Sequence, residues 1–347
     1  MIVMMKRISF VVLLIMAVAS MNLLSAACTI FIAHDGDTIL AGNNEDFYYT
    51  YDSMMLITAP DEGIYGRVSF ANSTYVQGGM NEKGLFYDGA MCPASTVPFD
   101  EDKPMLGMNL GEIILSKCAT VDEAVEMLKN SNIPQGFGDH ILFADENGNS
   151  AVVEWLNSRM KVVQQENNYQ IATNFFLTEP KLGGSPCGRY DMAETMLNSG
   201  DYLSIDGFAQ ILDAVSQDWN TGGTKYSNIC DLKNKDFYVY TKGDFNNYAH
   251  FNLTDELGKL KQGEKTVYII DEMAFIEKPI PEAASETPLA SQSDEGAKEV
   301  DVVEIPQFAS GEPIESSANP YNNGIMIIPI VLVGIVLIIL IIRYLKR

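Results

Sequence analysis

Cys28 stands where a thiol can become a nucleophile without help from any other side chain. It follows Ser25-Ala26-Ala27, so small residues occupy the positions three and one before it, the pattern cut in ordinary signal removal. A cut there makes Cys28 the first residue and leaves its thiol beside its own α-amine. That amine has an ordinary pKa of about 7.7–8.0 and can take the thiol's proton near neutral pH, so one residue supplies nucleophile and base. The expected chemistry is transfer of an acyl group through a thioester.

Two other readings of the cysteines compete with this one. Leu24-Ser25-Ala26-Ala27-Cys28 would serve as a lipidation box, with amine and thiol both modified and the chemistry abolished, but the leucine stands one residue too far from Cys28. A Cys-His arrangement would pair Cys92 or Cys118 with His34 or His140. Neither cysteine has a local signature, and His140 reads as a loop residue ahead of a strand. Cysteines 28, 92, 118, 187 and 230 are scattered with no C-x-x-C pair, and with three histidines in the chain no metal-ligand spacing arises. The last four leave disulfides and free thiols both open.

The ends of the chain set its expected location. Residues 1–27 run from Lys6 and Arg7 through the apolar Phe10–Val18 to the small-residue cut, the order of a secretory signal. Gly324–Ile342 is an unbroken uncharged stretch, which at about 1.5 Å per residue spans close to the ~30 Å hydrocarbon core as a transmembrane helix. Arg343, Lys346 and Arg347 follow, a basic cytoplasmic tail over 343–347, so the bulk of the chain is expected outside the cell on a single-pass anchor. Residues 281–323 carry nine acids, one lysine and recurrent Pro, Ser and Ala, the composition of a disordered stalk. Residues 28–323 hold all 46 acids and 18 of the 23 basic residues, a net charge near −28 that repels phosphate backbones and disfavours nucleic acid as a partner.

The globular part is 28–280. It opens with an apolar run at Cys28–Ala33, a His34-Asp35-Gly36-Asp37 turn and a strand Thr38–Ala41 ending at Gly42, a hairpin signal. Further strands are expected at Leu56–Ala59, Arg67–Phe70, Leu85–Gly89, Ile141–Ala144, Ala151–Leu156, Lys161–Gln164, Tyr169–Ala172, Phe237–Tyr240 and Thr266–Ile270. Helical periodicity marks Leu106–Cys118, Val121–Asn130 with Thr120 and Glu123 as a capping box, Arg189–Asn198 and Ile205–Val215. Strands, then helices, then strands again argue for α+β layers over a doubly wound parallel sheet. Neither a G-x-G-x-x-G turn nor a P-loop occurs, and no cofactor is implied.

Cys28-Thr29-Ile30-Phe31, a hairpin, and then Gly42-Asn43-Asn44-Glu45-Asp46-Phe47 resemble the opening of the N-terminal-nucleophile cysteine hydrolases of linear amides. That group contains choloylglycine hydrolases, penicillin V acylases, acid ceramidases and isopenicillin-N acyltransferases. Where bile-salt and penicillin acylases carry an arginine against the nucleophile, this chain has Asn43, a departure that favours the acyltransferase-like branch. Asn81-Glu82-Lys83-Gly84-Leu85, Ala172-Thr173-Asn174-Phe175, Cys187-Gly188-Arg189-Tyr190 and Lys225-Tyr226-Ser227-Asn228 are similar to later segments of the same family, in order, out to about Asp271.

The resemblance implies a four-layer αββα sandwich and a small N-acyl amide as substrate. It implies Cys28 as nucleophile, Asp46 orienting the α-amine, and Asn174 with a backbone N–H near Met91 as oxyanion donors. Asn43, Asn44 and Arg189 are further candidates for oxyanion or substrate contacts. Without the resemblance, Glu45-Asp46 reads as a solvated turn pair, Asn174 as an Asx turn and Arg189 as a helix cap or surface ion pair. The aromatic stretches Phe47-Tyr48-Tyr49-Thr50-Tyr51 and Phe175-Phe176 fit an acyl pocket and core packing alike. Hydrolysis and transfer to a second amine are both open, as is a membrane-anchored surface binding protein without catalysis.

Overall fold

The computed structural model describes residues 28–277 except Thr74, Ala94, Ser95, Gly136 and Asp201. The expected signal, the stalk beyond Glu277, the transmembrane helix and the basic tail lie outside the described residues. Among the described residues no helix is long and apolar enough to cross a membrane.

Two antiparallel sheets make the frame. The first joins β1 (Thr29–His34), β2 (Ile39–Tyr48), β10 (Tyr169–Ala172), β12 (Gly222–Asp231), β13 (Asp236–Thr241), β14 (Asp244–Asn252) and β16 (Ile276–Glu277) in the order β10-β1-β2-β12-β13-β14-β16, with the short β11 (Asp218–Trp219) on β12. The second joins β3 (Ser53–Thr58), β4 (Arg67–Asn72), β5 (Tyr75–Asn81), β6 (Phe86–Met91), β7 (Asp139–Ala144), β8 (Ser150–Leu156), β9 (Arg159–Gln164) and β15 (Lys265–Ile269) in the order β15-β3-β4-β5-β6-β7-β8-β9. Because strand side chains alternate between faces, each sheet has two apolar sets and needs a cover on both sides.

The inner set of the first sheet, with Ile30, Ile32, Ile39, Ala41 and Tyr226, packs against Met55, Phe70, Met80, Phe86 and Leu142 of the second. The outer set of the first sheet, Phe31, Leu40 and Ile229, is covered by α3 (Gly188–Asn198) and α4 (Ile205–Ala214) through Ala193, Phe208 and Leu212. The outer set of the second, Tyr87, Ile141 and Phe143, is covered by α1 (Leu110–Lys117) and α2 (Val121–Lys129) through Ile114, Ala124 and Leu128. The layers run helices, sheet, sheet, helices. A short α5 (Leu253–Leu257) closes the strand after β14.

Local chemistry explains several boundaries. Thr120 caps α2 by accepting from Glu123 N, as expected from the sequence, while Glu123 Oε2 reaches back one residue past the cap to the Ala119 N–H at 2.6 Å. Gly42 does not end a strand as expected. It lies inside β2, which continues to Tyr48, and a Cβ there would sit 3.2 Å from Phe208 and 3.3 Å from Phe31, so this glycine admits the helix layer instead of making a turn. Asn81 organises the turn into β6: its Oδ1 accepts from Lys83 N and Leu85 N, its Nδ2 donates to Leu115 O and Cys118 O, and Gly84 takes φ +77°. The Asn-Glu-x-Gly-Leu segment is therefore a structural turn tied to the end of α1. The helix expected from Leu106 starts at Leu110, after Asn109.

Candidate active site

Cys28 immediately precedes β1 and is 7% exposed. Register fixes its face. Thr29 pairs with Asn44 and Ile30 with Asn43, so Cys28, Ile30 and Ile32 share the inner face with Ile39, Ala41, Asn43 and Glu45 of β2. Its S–H points at Glu45 Oε2, 3.5 Å away. Burial pushes the thiol well above its ordinary value, and the carboxyls of Glu45 and Asp46 push the same way, opposed by the Asp46 N–H bonding to sulfur. Such a thiol stays protonated at neutral pH and needs a base.

Asp46 is fully buried, not part of a solvated pair. Its side chain leaves β2 on the outer face, where Oδ1 accepts from Thr224 Oγ1 at 2.5 Å and Oδ2 from Gln217 Nε2 at 2.6 Å. Burial raises its pKa to about 7 against those two bonds and the nearby Arg189. The β-bulge between Thr224 and Tyr226 on β12 is what turns Thr224 onto this carboxylate.

Extending the β1–β10 register two residues past its last pair, Ile30–Ala172, brings Asn174 level with Cys28. Arg189, at the start of α3, fastens the two together. One guanidinium nitrogen, Nη1, donates to Cys28 O at 2.5 Å and Thr29 Oγ1 at 2.8 Å, and Nη2 donates to Asn174 Oδ1 at 3.0 Å. Asn174 Nδ2 donates to Met91 O at 2.8 Å, which joins this cluster to the end of β6 on the second sheet. Cys28, Arg189, Asn174 and Met91 are thus joined by hydrogen bonds into one cluster, while the Asp46 carboxylate stays on the outer face near Arg189. Arg189 is neither a cap nor a surface ion pair.

Asn44 does not join them. Its Nδ2 donates to Leu212 O of α4 and its Oδ1 accepts from Ser227 Oγ, so it ties β2 to the helix layer on the far face from the thiol. Asn43 shares the thiol's face, with neither amide atom hydrogen-bonded. All five cysteines are free. Cys92 and His140 do come together, with His140 Nδ1 3.2 Å from Glu154 Oε1. Burial resists the charge on His140, but Cys92 and Glu154 prevail and raise it to about 10. Glu154 also takes the Leu177 and Thr178 N–H groups, so this cluster anchors the segment after Asn174.

Sequence reasoning passed over Glu45 as a functional side chain. Strand alternation through Ile39, Ala41 and Asn43 would have put it on the nucleophile's face, had β2 been read beyond Gly42. Its carboxyl is oriented by Asn72 Nδ2, 2.6 Å from Oε1, and Asn72 is held by Ser53 Oγ at 2.9 Å. Burial is the main cause that lifts its pKa to about 8. The unfolded chain ionises Glu45 near 4.5, so the stability this group contributes is complete below that pH and is lost as pH rises towards about 8, at up to ~1.4 kcal/mol per pH unit. Glu45→Gln is expected to flatten that decline in urea unfolding series taken between these two pH values. Equal slopes in the two proteins would place the decline on other groups.

The comparisons with known proteins bear on this frame. The family model described as acyl-coenzyme A:6-aminopenicillanic acid acyl-transferase matches residues 33–185. A variant of conjugated bile acid hydrolase from Clostridium perfringens superposes with a TM-score of 0.58 at 19% identity, covering 72% of this chain and 99% of that one. Over residues 33–185 the chain is similar to the acyl-transferase family, and its fold is that of N-terminal-nucleophile hydrolases of linear amides. Penicillin V acylase from Agrobacterium tumefaciens shares this fold with the chain at a TM-score of 0.55 and 17% identity, covering 70% of this chain and 90% of its own. No curated protein matches the chain by sequence.

Proposed function

We propose that the mature protein cleaves linear, non-peptide amides through a thioester on Cys28, after removal of residues 1–27. The observation that carries this reading is the Arg189 guanidinium, which holds the Cys28 carbonyl and the Asn174 amide on one rigid fork beside Met91. The freed α-amine takes the thiol proton, and sulfur attacks the amide carbonyl. The second N–H of Asn174 Nδ2 and a backbone N–H near Met91 receive the oxyanion, each worth about 2.7–4 kcal/mol in such sites. The amine leaves with the proton carried by the α-ammonium, and water, deprotonated by the same amine, cleaves the thioester to release the acid. Asp46, through Arg189 and its own N–H to sulfur, positions these groups.

A second reading replaces water by an acceptor amine, and the acyl-transferase family model over residues 33–185 favours it. We place the catalytic domain at 28–280, outside the cell on the acidic stalk 281–323 and the helix 324–342, since export is what exposes Cys28. The intact mass of the mature protein, before and after incubation with a panel of N-acyl amides, tests the proposal. It is expected to begin at unmodified Cys28 and to gain one acyl group lost again on hydroxylamine treatment. A lipid-modified Cys28, or a chain starting upstream of it, overturns it.

A further inference from the structure

Several buried polar groups on the face that Cys28 shares, and on the sheet opposite, have no hydrogen-bond partner. Asp88, on β6 between the core residues Phe86 and Ala90, is fully buried, and no side chain bonds its carboxylate, whose one nearby donor is the N–H of the next residue, Gly89. The groups that act on it most strongly are two more acids, Glu45 and Asp139, and the Gly89 N–H, with no cation among them. Its place is made by Gly78, directly opposite on β5, where a Cβ would lie 2.0 Å from Asp88 Oδ2. On the facing sheet Asn43 and Asn228 are paired across β2 and β12, on the same face as Cys28, and both Asn43 amide atoms and Asn228 Nδ2 are buried without partners, as is the Tyr226 hydroxyl. Leaving buried polar groups unpaired is costly, and Asp88, Glu45 and the Tyr226 hydroxyl lie near enough to Cys28 to act on one another.

We propose that the protein acts on linear amides that carry a primary ammonium, and that Asp88, with Glu45 and Asn43, receives that ammonium beside Cys28. The proposal rests on the amide-cleaving reading above. An ammonium offers three N–H donors and no acceptor, the complement of the carboxyl oxygens of Asp88 and Glu45 and the Asn43 carbonyl. It also favours the ionised form of both carboxyls. No cation of the chain is among the groups that act most strongly on Asp88. Lys225 Nζ is buried without a hydrogen-bond partner and feels Asp271 and Asp52 before Glu45, and Arg189 is bound to Cys28, Thr29 and Asn174. The α-amine freed by processing serves as the base of the amide-cleaving reading, so it is not a standing cation for these carboxyls, and Asp88 stands on the second sheet, opposite β1 and β2. A metal ion fits less well, since among the described residues no three His, Cys, Asp or Glu side chains are grouped to hold one.

Binding to the full chain carrying Cys28→Ser tests this without turnover. The probes are N-acetylcadaverine, 5-acetamidopentan-1-ol and 5-acetamidopentanoate, matched except at one end, with calcium chloride as a fourth titrant. The amine is expected to bind at least tenfold tighter than the alcohol or the acid, and Asp88→Asn in the same background is expected to reduce that ratio to threefold or less. No preference, no binding by any probe, a preference that survives Asp88→Asn, or a response to calcium chloride alone overturns the proposal. Should Asp88→Asn not fold, the ratio in its absence decides. Thioester formation on unaltered Cys28 separates the two readings: acylation by neutral amides without amine preference sinks only the ammonium pocket, whereas amine binding with no acylation by any amide sinks the cleavage reading and leaves the pocket.

Discussion

Replacing Cys28 by serine is expected to lower amide turnover by about 10³-fold or more, with the fold intact, since loss of a nucleophile removes a whole covalent step. The hydroxyl differs by one smaller atom at a buried position, so thermal unfolding should move little. A companion variant isolates the base. Ala27→Arg blocks removal of the signal, and Cys28 then keeps its thiol but its nitrogen stays a peptide amide with no basic lone pair. The burial that holds the thiol protonated then has no α-amine to counter it, and the same loss of rate is expected. Turnover by an uncut Ala27→Arg protein, verified by intact mass, would hand the role of base to Glu45, the carboxyl 3.5 Å from sulfur.

Arg189→Met is expected to lower kcat by about 10²–10³, the range for losing an oxyanion donor, because the side chain fixes Asn174 and not the substrate. Two guanidinium nitrogens reach three acceptors on β1 and the segment after β10, a fork that a lysine ammonium cannot span, so Arg189→Lys should recover little of the loss. The split between constants is the informative readout. A fall in kcat with KM nearly unchanged marks a positioning role, whereas a raised KM with kcat retained would mean that Arg189 grips the substrate. The Arg189 variants need their thermal midpoints recorded, since the Asp46 carboxylate loses a nearby cation in Arg189→Met.

Much of the frame was legible in the sequence because it is written in local chemistry. The cap at Thr120, the periodicities of the four longer helices and the alternation of most strands each depend on residues a few positions apart. Where the local signal was misleading, contacts from far along the chain had overruled it. Gly42 looked like a strand end but serves Phe208 of a helix more than a hundred residues later. The strands β5, β12 and β14 were not foreseen, since Gly, Asn and Ser within them weaken the strand signal and their pairing partners supply the stability instead.

The Ser-Ala-Ala-Cys order that raises the expectation of a cut before Cys28, and the acidic composition of 281–323, are read from the sequence by itself, since they depend on residue order alone. Which carboxylates face that cysteine was decided only by tertiary structure. Glu45 and Asp46 are neighbours in sequence, yet alternation sends one to the thiol and the other to the helix layer, while Asp88 arrives from the opposite sheet. A strand's period of two fixes that adjacent side chains part company, but only the packing of two sheets fixes which of them enters the site.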